Sequence, residues 1–116
     1  FTIKGVNVKP LPVLHMKLPV LGFRFQNFSY VTDAKTIPPE TMKKLEGTDV
    51  LVLNALQREQ HISHFNLNEA LEMVQLVRPR KTYFTHISHK LGRHARVLNE
   101  LPADVMLAHD GLQLSF

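Results

Sequence analysis

The spacing of apolar and polar positions divides the chain into extended and helical stretches. Residues 6–14, 20–26 and 28–32 are apolar-rich runs of strand length, and Asn27 separates the last two as the turn of a hairpin. Pro10 and Pro12 remove two ladder donors from the first run, which predicts an edge or irregular strand. Ile37-Pro38-Pro39 stops the extended chain. A short helix is predicted from about Pro39 to Glu46, closed by Gly47, with Lys43 and Lys44 in its last turns. Asp49-Val-Leu-Val-Leu-Asn54 is a continuous apolar run, as expected of a central strand buried on both faces.

A polar loop over residues 57–65 follows. Asn66 is placed to cap the next helix, and Glu69, three residues on, completes a capping box. Leu67, Ala70, Leu71, Val74 and Val77 form the buried stripe of that helix, which Pro79 ends. Residues 81–86 read as a further strand. Leu91, Ala95 and Leu98 predict a helix over 91–100, and two short strands, 104–108 and 112–116, join through Asp110-Gly111. The order is mostly β and then alternating β and α. It predicts an α/β fold: a mixed β-sheet with helices on one face.

The 116 residues suffice for one small domain, taken as 1–116. Their 44% hydrophobic content is ordinary for a globular protein. No apolar stretch is long enough for a transmembrane helix, so no membrane partner is expected. No signal-peptide pattern opens the chain, and the absence of cysteine is compatible with a cytoplasmic location. The chain starts at Phe1, on a strand-like run, and reads as a piece of a longer protein. Cysteine is absent, so a metal would be held by nitrogen and oxygen. The net charge of +4 comes from scattered bases with small clusters at Lys43-Lys44, Arg78-Arg80-Lys81 and Lys90-Arg93-Arg96. A solvated surface is the plain reading, and attraction for an anionic phosphate ester is the sharper one. No interleaved aromatics argue for single-stranded nucleic acid.

Candidate chemistry lies where strand-like runs stop. His15 ends Val-Lys-Pro-Leu-Pro-Val-Leu, Asp33 ends Phe-Ser-Tyr-Val-Thr, and His86 ends Lys-Thr-Tyr-Phe-Thr. His64 lies in Gln-His-Ile-Ser-His-Phe-Asn, just before a helix. Loops at one edge of an α/β sheet converge, so such groups can meet there. Imidazoles with a carboxylate suit zinc, manganese and iron alike. His61, His94 and His109 read as surface or structural, and Asp110 as a turn residue. His89 fits a turn histidine bonded to backbone and a phosphate-side group equally well.

The same segments resemble motifs of metallo-β-lactamase-fold phosphodiesterases. Leu14-His15-Met16-Lys17-Leu18-Pro19-Val20-Leu21-Gly22-Phe23-Arg24 resembles their histidine followed by a Gly-aromatic strand. Tyr30-Val31-Thr32-Asp33 resembles the strand that delivers a metal-bridging aspartate. Ser63-His64-Phe65-Asn66-Leu67 resembles the loop of the substrate-side histidine. Thr85-His86-Ile87-Ser88-His89 is similar to the last ligand motif. The set resembles the PhnP group, cyclic phosphodiesterases of phosphonate breakdown, and more loosely tRNA 3′-processing endonucleases.

The family's His-x-His-x-Asp-His motif does not occur in the chain and would lie upstream of Phe1. The resemblance therefore implies the C-terminal half of an αββα sandwich. It implies two divalent metals, zinc or manganese, in the whole enzyme and possible absence of metal from this half alone. By resemblance, His15, Asp33 and His86 are metal ligands, with Asp33 the bridge, and His64 is a general acid or phosphate donor. His89 would stand beside it at the substrate. The implied reaction is hydrolysis of a small, cyclic phosphodiester by a hydroxide bridging the two metals. The half by itself is expected to be inactive and to form a homodimer. Alternatives are a thioesterase, lactonase or RNA-processing nuclease on the same fold, or a non-catalytic binding module.

Overall fold

The computed structural model describes residues 2–3, 5–55, 65–85 and 101–108. Its described strands form one seven-stranded sheet in chain order. They are β1 (Thr2–Ile3), β2 (Val6–His15), β3 (Leu18–Phe25), β4 (Phe28–Val31), β5 (Val50–Asn54), β6 (Lys81–Thr85) and β7 (Val105–Leu107). Strands β1 to β4 pair antiparallel, and β4 to β7 pair parallel. The parallel steps need crossovers. Helix α1 (Pro39–Leu45) supplies the one between β4 and β5, and α2 (Leu67–Val77) the one between β5 and β6.

Strand β2 tolerates its prolines for a geometric reason. The backbone N–H and C=O of Leu14 bond the segment Lys35-Thr36 and so point away from β3. Pro10 and Pro12 share that parity, because β2 pairs with β3 in one unbroken register. Their missing N–H groups therefore face outward, and the β2–β3 ladder loses no donor, contrary to the sequence expectation. Only the two-residue β1 lies outside β2, and among the described residues no strand pairs with the outer side of β2 beyond Asn7, so its character is close to that of the edge strand expected. The free carbonyl of Pro12 is taken by the Thr41 hydroxyl of α1.

Register divides the sheet into two faces. Leu11, Val13, Val31, Leu51, Leu53, Phe84, Val105 and Leu107 lie on one face and pack with Leu45 of α1 and Leu67, Ala70 and Val74 of α2. Both helices thus cover the same face, as the α/β reading required. The second face holds a smaller cluster of Phe28, Val50, Val52 and Tyr83. All five residues of β5 are buried, as its apolar run predicts. The apolar surface of this second face is open at β3, β4 and β7 and closed at β5. Leu21, Tyr30 and Met106 on that face are 55%, 43% and 42% exposed, whereas Val50–Leu53 are covered.

Helix ends follow the sequence signals. Asn66 Oδ1 accepts from the Glu69 N–H at 2.8 Å, and Glu69 Oε1 accepts from the Asn66 N–H at 3.0 Å, closing the capping box. Arg78, at φ 57°, ends α2 before Pro79 by donating its N–H to Val74 O. Gly47, at φ 79°, turns the chain after α1. One hairpin went unread: Met16-Lys17 joins β2 to β3, with Met16 at φ 57°. Neither residue is a usual turn former, so the sequence carried no signal for it. The predicted 91–100 helix and 112–116 strand lie outside the described residues.

Candidate metal centre

Two of the proposed site residues are described, and they share one sheet edge. Strand β2 is antiparallel to β3, and β3 to β4, so β2 and β4 run in the same direction. His15 is the last residue of β2, and Asp33 lies two residues past the end of β4. Both therefore stand at the C-terminal edge of the strands, where β5 ends in Asn54 and β6 in Thr85. Converging strand ends of this kind are where ligand sites form in open α/β sheets. His64, His86 and His89 lie outside the described residues. Their described chain neighbours, Phe65 and Thr85, are both bonded into this edge.

The backbone at this edge is a connected set of hydrogen bonds. Asp33 sits at φ 60°, a left-handed conformation that aspartate tolerates better than most residues. The chain then turns across to β2, where the N–H groups of Lys35 and Thr36 both donate to Leu14 O at 2.8 and 3.2 Å. Ala34, fully buried between them, is held from two sides. Its N–H donates to Asn54 Oδ1 at 3.0 Å, and its carbonyl accepts from Asn54 Nδ2 at 2.9 Å. The same carbonyl also accepts from the Phe65 N–H at 3.0 Å. Ala55, next to Asn54, donates its N–H to Thr85 O at 3.0 Å. Lys35 Nζ reaches both carboxylate oxygens of Glu69, at 2.8 and 2.9 Å, and so pins this segment to the start of α2. The contacts of Asn54 were not anticipated. The signal for them is a polar amide closing an otherwise apolar buried strand.

The donor types fit a divalent cation: an imidazole offers one neutral nitrogen, and a carboxylate offers two oxygens able to bridge. Among the described residues, no three His, Asp or Glu side chains cluster into a metal-sized group. His15 and Asp33 are at most part of a set.

The basic side chains with described partners serve the fold. Arg24 donates to the carbonyls of Gln26, Lys44 and Glu46, closing the C-terminal end of α1. Arg80 pairs with Asp49. Lys9 and Arg24 line a cleft with Gly5, Asn7 and Gln26, toward the end of the β2–β3 hairpin opposite His15.

A mixed sheet with both helices on one face and a histidine and an aspartate at its C-terminal strand edge is an α/β fold of the layered kind. Residues 1–87 match the β-lactamase superfamily domain, and the chain belongs to that family. Its fold superposes on that of a diphosphatase of the PhnP family with a TM-score of 0.97 at 39% identity. That match covers 100% of this chain and 46% of the diphosphatase. The short form of human tRNase Z shares the fold at a TM-score of 0.72 and 20% identity, with 99% of this chain and 45% of that one covered. A protein named octanoyltransferase from Porphyromonas gingivalis (strain ATCC BAA-308 / W83) is 29% identical over 114 residues, which span 97% of this chain and 23% of that protein. The chain thus spans about half the length of these solved structures and a smaller share of the curated relative. The metallo-β-lactamase fold is a hydrolase fold associated with divalent metals. Among the described residues, no helix is long and apolar enough to cross a membrane.

Proposed function

We propose that the chain is the C-terminal half of a metal-dependent phosphodiesterase acting on a small, cyclic phosphodiester. The observation that carries this reading is the placement of His15 and Asp33 at one edge of a sheet that is similar, over the whole of this chain, to part of a PhnP-family diphosphatase. In the whole enzyme, His15, Asp33 and His86 would hold two divalent cations, zinc or manganese, together with ligands from outside this chain. Such cations, when bound, lower the pKa of a shared water and polarise a phosphate ester. Asp33 would supply the carboxylate among the groups that hold them, and its negative charge would offset part of their repulsion. His15 and His86 would each offer a nitrogen. His64 would give a proton, or a hydrogen bond, to the leaving oxygen, with His89 beside it.

The test is an activity comparison on the whole enzyme, stripped of metal and reloaded with zinc or manganese. Cleavage of a bis-ester phosphate that exceeds cleavage of thioester, lactone and RNA substrates under one set of conditions is the expected result. A preference for any of the other three classes assigns the chain to that hydrolase instead.

A further inference from the structure

We propose that Asn54 is a positioning residue that holds Asp33 in place for metal. This rests on the reading of Asp33 as a ligand. The Asn54 side chain is fully buried at the end of β5, and both its amide oxygen and its amide nitrogen are spent on one residue across the edge, in the two peptide units that flank the Ala34 Cα. The pattern fixes the amide orientation: only Oδ1 can accept from the Ala34 N–H, and only Nδ2 can donate to the Ala34 carbonyl. A two-point clamp on residue 34 sets the direction in which residue 33 enters it. Asp33 is already in the left-handed region at φ 60°, which aspartate tolerates better than most residues but which surrounding bonds must still hold in a single orientation. The Phe65 N–H on the same Ala34 carbonyl extends the effect. One carbonyl thus carries both the strand-end clamp and the first described residue after His64. A shift at Asn54 would move the neighbours of two proposed site residues together.

Asn54 touches neither substrate nor metal in this scheme. Asn54→Asp keeps the size and the acceptor for the Ala34 N–H, but sets an oxygen against the Ala34 carbonyl in place of a donor. The experiment measures zinc affinity calorimetrically for the whole enzyme, Asn54→Asp and Asp33→Ala, well below the melting temperature of each. The expected result is an affinity about 10–100-fold weaker in Asn54→Asp, the range found when groups supporting a ligand are removed, with a native circular dichroism spectrum. A purely structural role would lower the melting temperature and leave zinc affinity unchanged. Wild-type affinity in a folded Asn54→Asp, with affinity lost in Asp33→Ala, overturns the positioning role alone. Wild-type affinity in both overturns the ligand reading and the positioning role with it. Should Asn54→Asp not fold, hydrogen exchange at the Ala34 amide of the wild-type protein decides. Clamp and ligand hold adjacent residues, so zinc must slow that exchange if the two are coupled. Exchange unaffected by zinc overturns the proposal.

Discussion

Leu14 and Thr36 bond each other through both backbone groups, the Leu14 N–H donating to Thr36 O at 2.9 Å and the Thr36 N–H to Leu14 O at 3.2 Å. Each lies close in sequence to a proposed ligand, Leu14 beside His15 and Thr36 three residues past Asp33. The spacing between the two candidate ligands is thereby set by main-chain bonds, which side-chain substitution leaves in place. His15→Ala and Asp33→Ala in the whole enzyme are expected to weaken metal binding by more than about tenfold without unfolding the sheet. Elemental analysis after dialysis, alongside far-ultraviolet circular dichroism, checks both halves of that statement.

Phe65, the residue after His64, docks its N–H on Ala34 at the same edge, and the sequence reads His64 as part of the polar segment before α2 and not as a strand end. His64→Ala is therefore expected to keep its metal and lose turnover by about 10²–10⁴-fold, the usual size of a general-acid contribution. Metal loss on that substitution would make it a ligand.

Gly22 is required by close approach. A Cβ there would stand 2.7 Å from the Tyr30 carbonyl oxygen and 3.2 Å from a Val31 methyl. The first of these is backbone and cannot swing aside. Gly22→Ala should cost about 1–3 kcal/mol, the scale of overpacking in a filled core. Urea unfolding would show this as a lower midpoint with an unchanged slope.

Glu69 has two duties, closing the capping box with Asn66 and pairing with Lys35. Among the described residues the Lys35 side chain pairs with Glu69 alone, and both side chains are partly exposed. Glu69→Ala should cost about 1–2 kcal/mol, mostly from the cap, and Lys35→Ala less than about 1 kcal/mol. Equal losses in a thermal melt would mean that the box contributes nothing.

The 116-residue chain alone is expected to lack phosphodiesterase activity and to self-associate. Leu21, Tyr30 and Met106 leave apolar surface on the face turned away from the helices, and a large buried side chain stabilises by roughly 1.5–3 kcal/mol. Pairing with a second copy is the simplest way to cover them. A folded monomer in sedimentation at tens of micromolar (roughly the range where such interfaces persist) counts against it. So does metal-dependent cleavage of a bis-ester phosphate by that chain.

Local rules made most of the fold legible. The apolar run 50–53 could only be an interior strand, and Asn66 with Glu69 announced the start of α2. The Met16-Lys17 hairpin was invisible because its left-handed residue is a methionine, held there by the β2–β3 ladder and not by local preference. Pro10 and Pro12 mark β2 as peripheral, but sequence cannot tell which side of a strand a missing N–H faces, and here both face away from β3. Of the site, strand ends could be read as places for His15 and Asp33. The role of Asn54 could not, because its partner Ala34 is a residue with no chemistry of its own, twenty positions away.

The sheet changes from antiparallel to parallel at β4, and this bears on the order in which the chain assembles. Strands β2, β3 and β4 are linked by two-residue turns, whereas β5 and β6 each wait for a crossover that includes a helix. Loop-closure entropy is smallest where contacts are local, so the meander is the cheapest part of the sheet to form. Gly22→Ala is then expected to slow folding, and Thr82→Val, on β6, to act mainly on unfolding, a contrast that stopped-flow measurements resolve. The frame for His15 and Asp33 would take shape before the rest of the sheet docks against it.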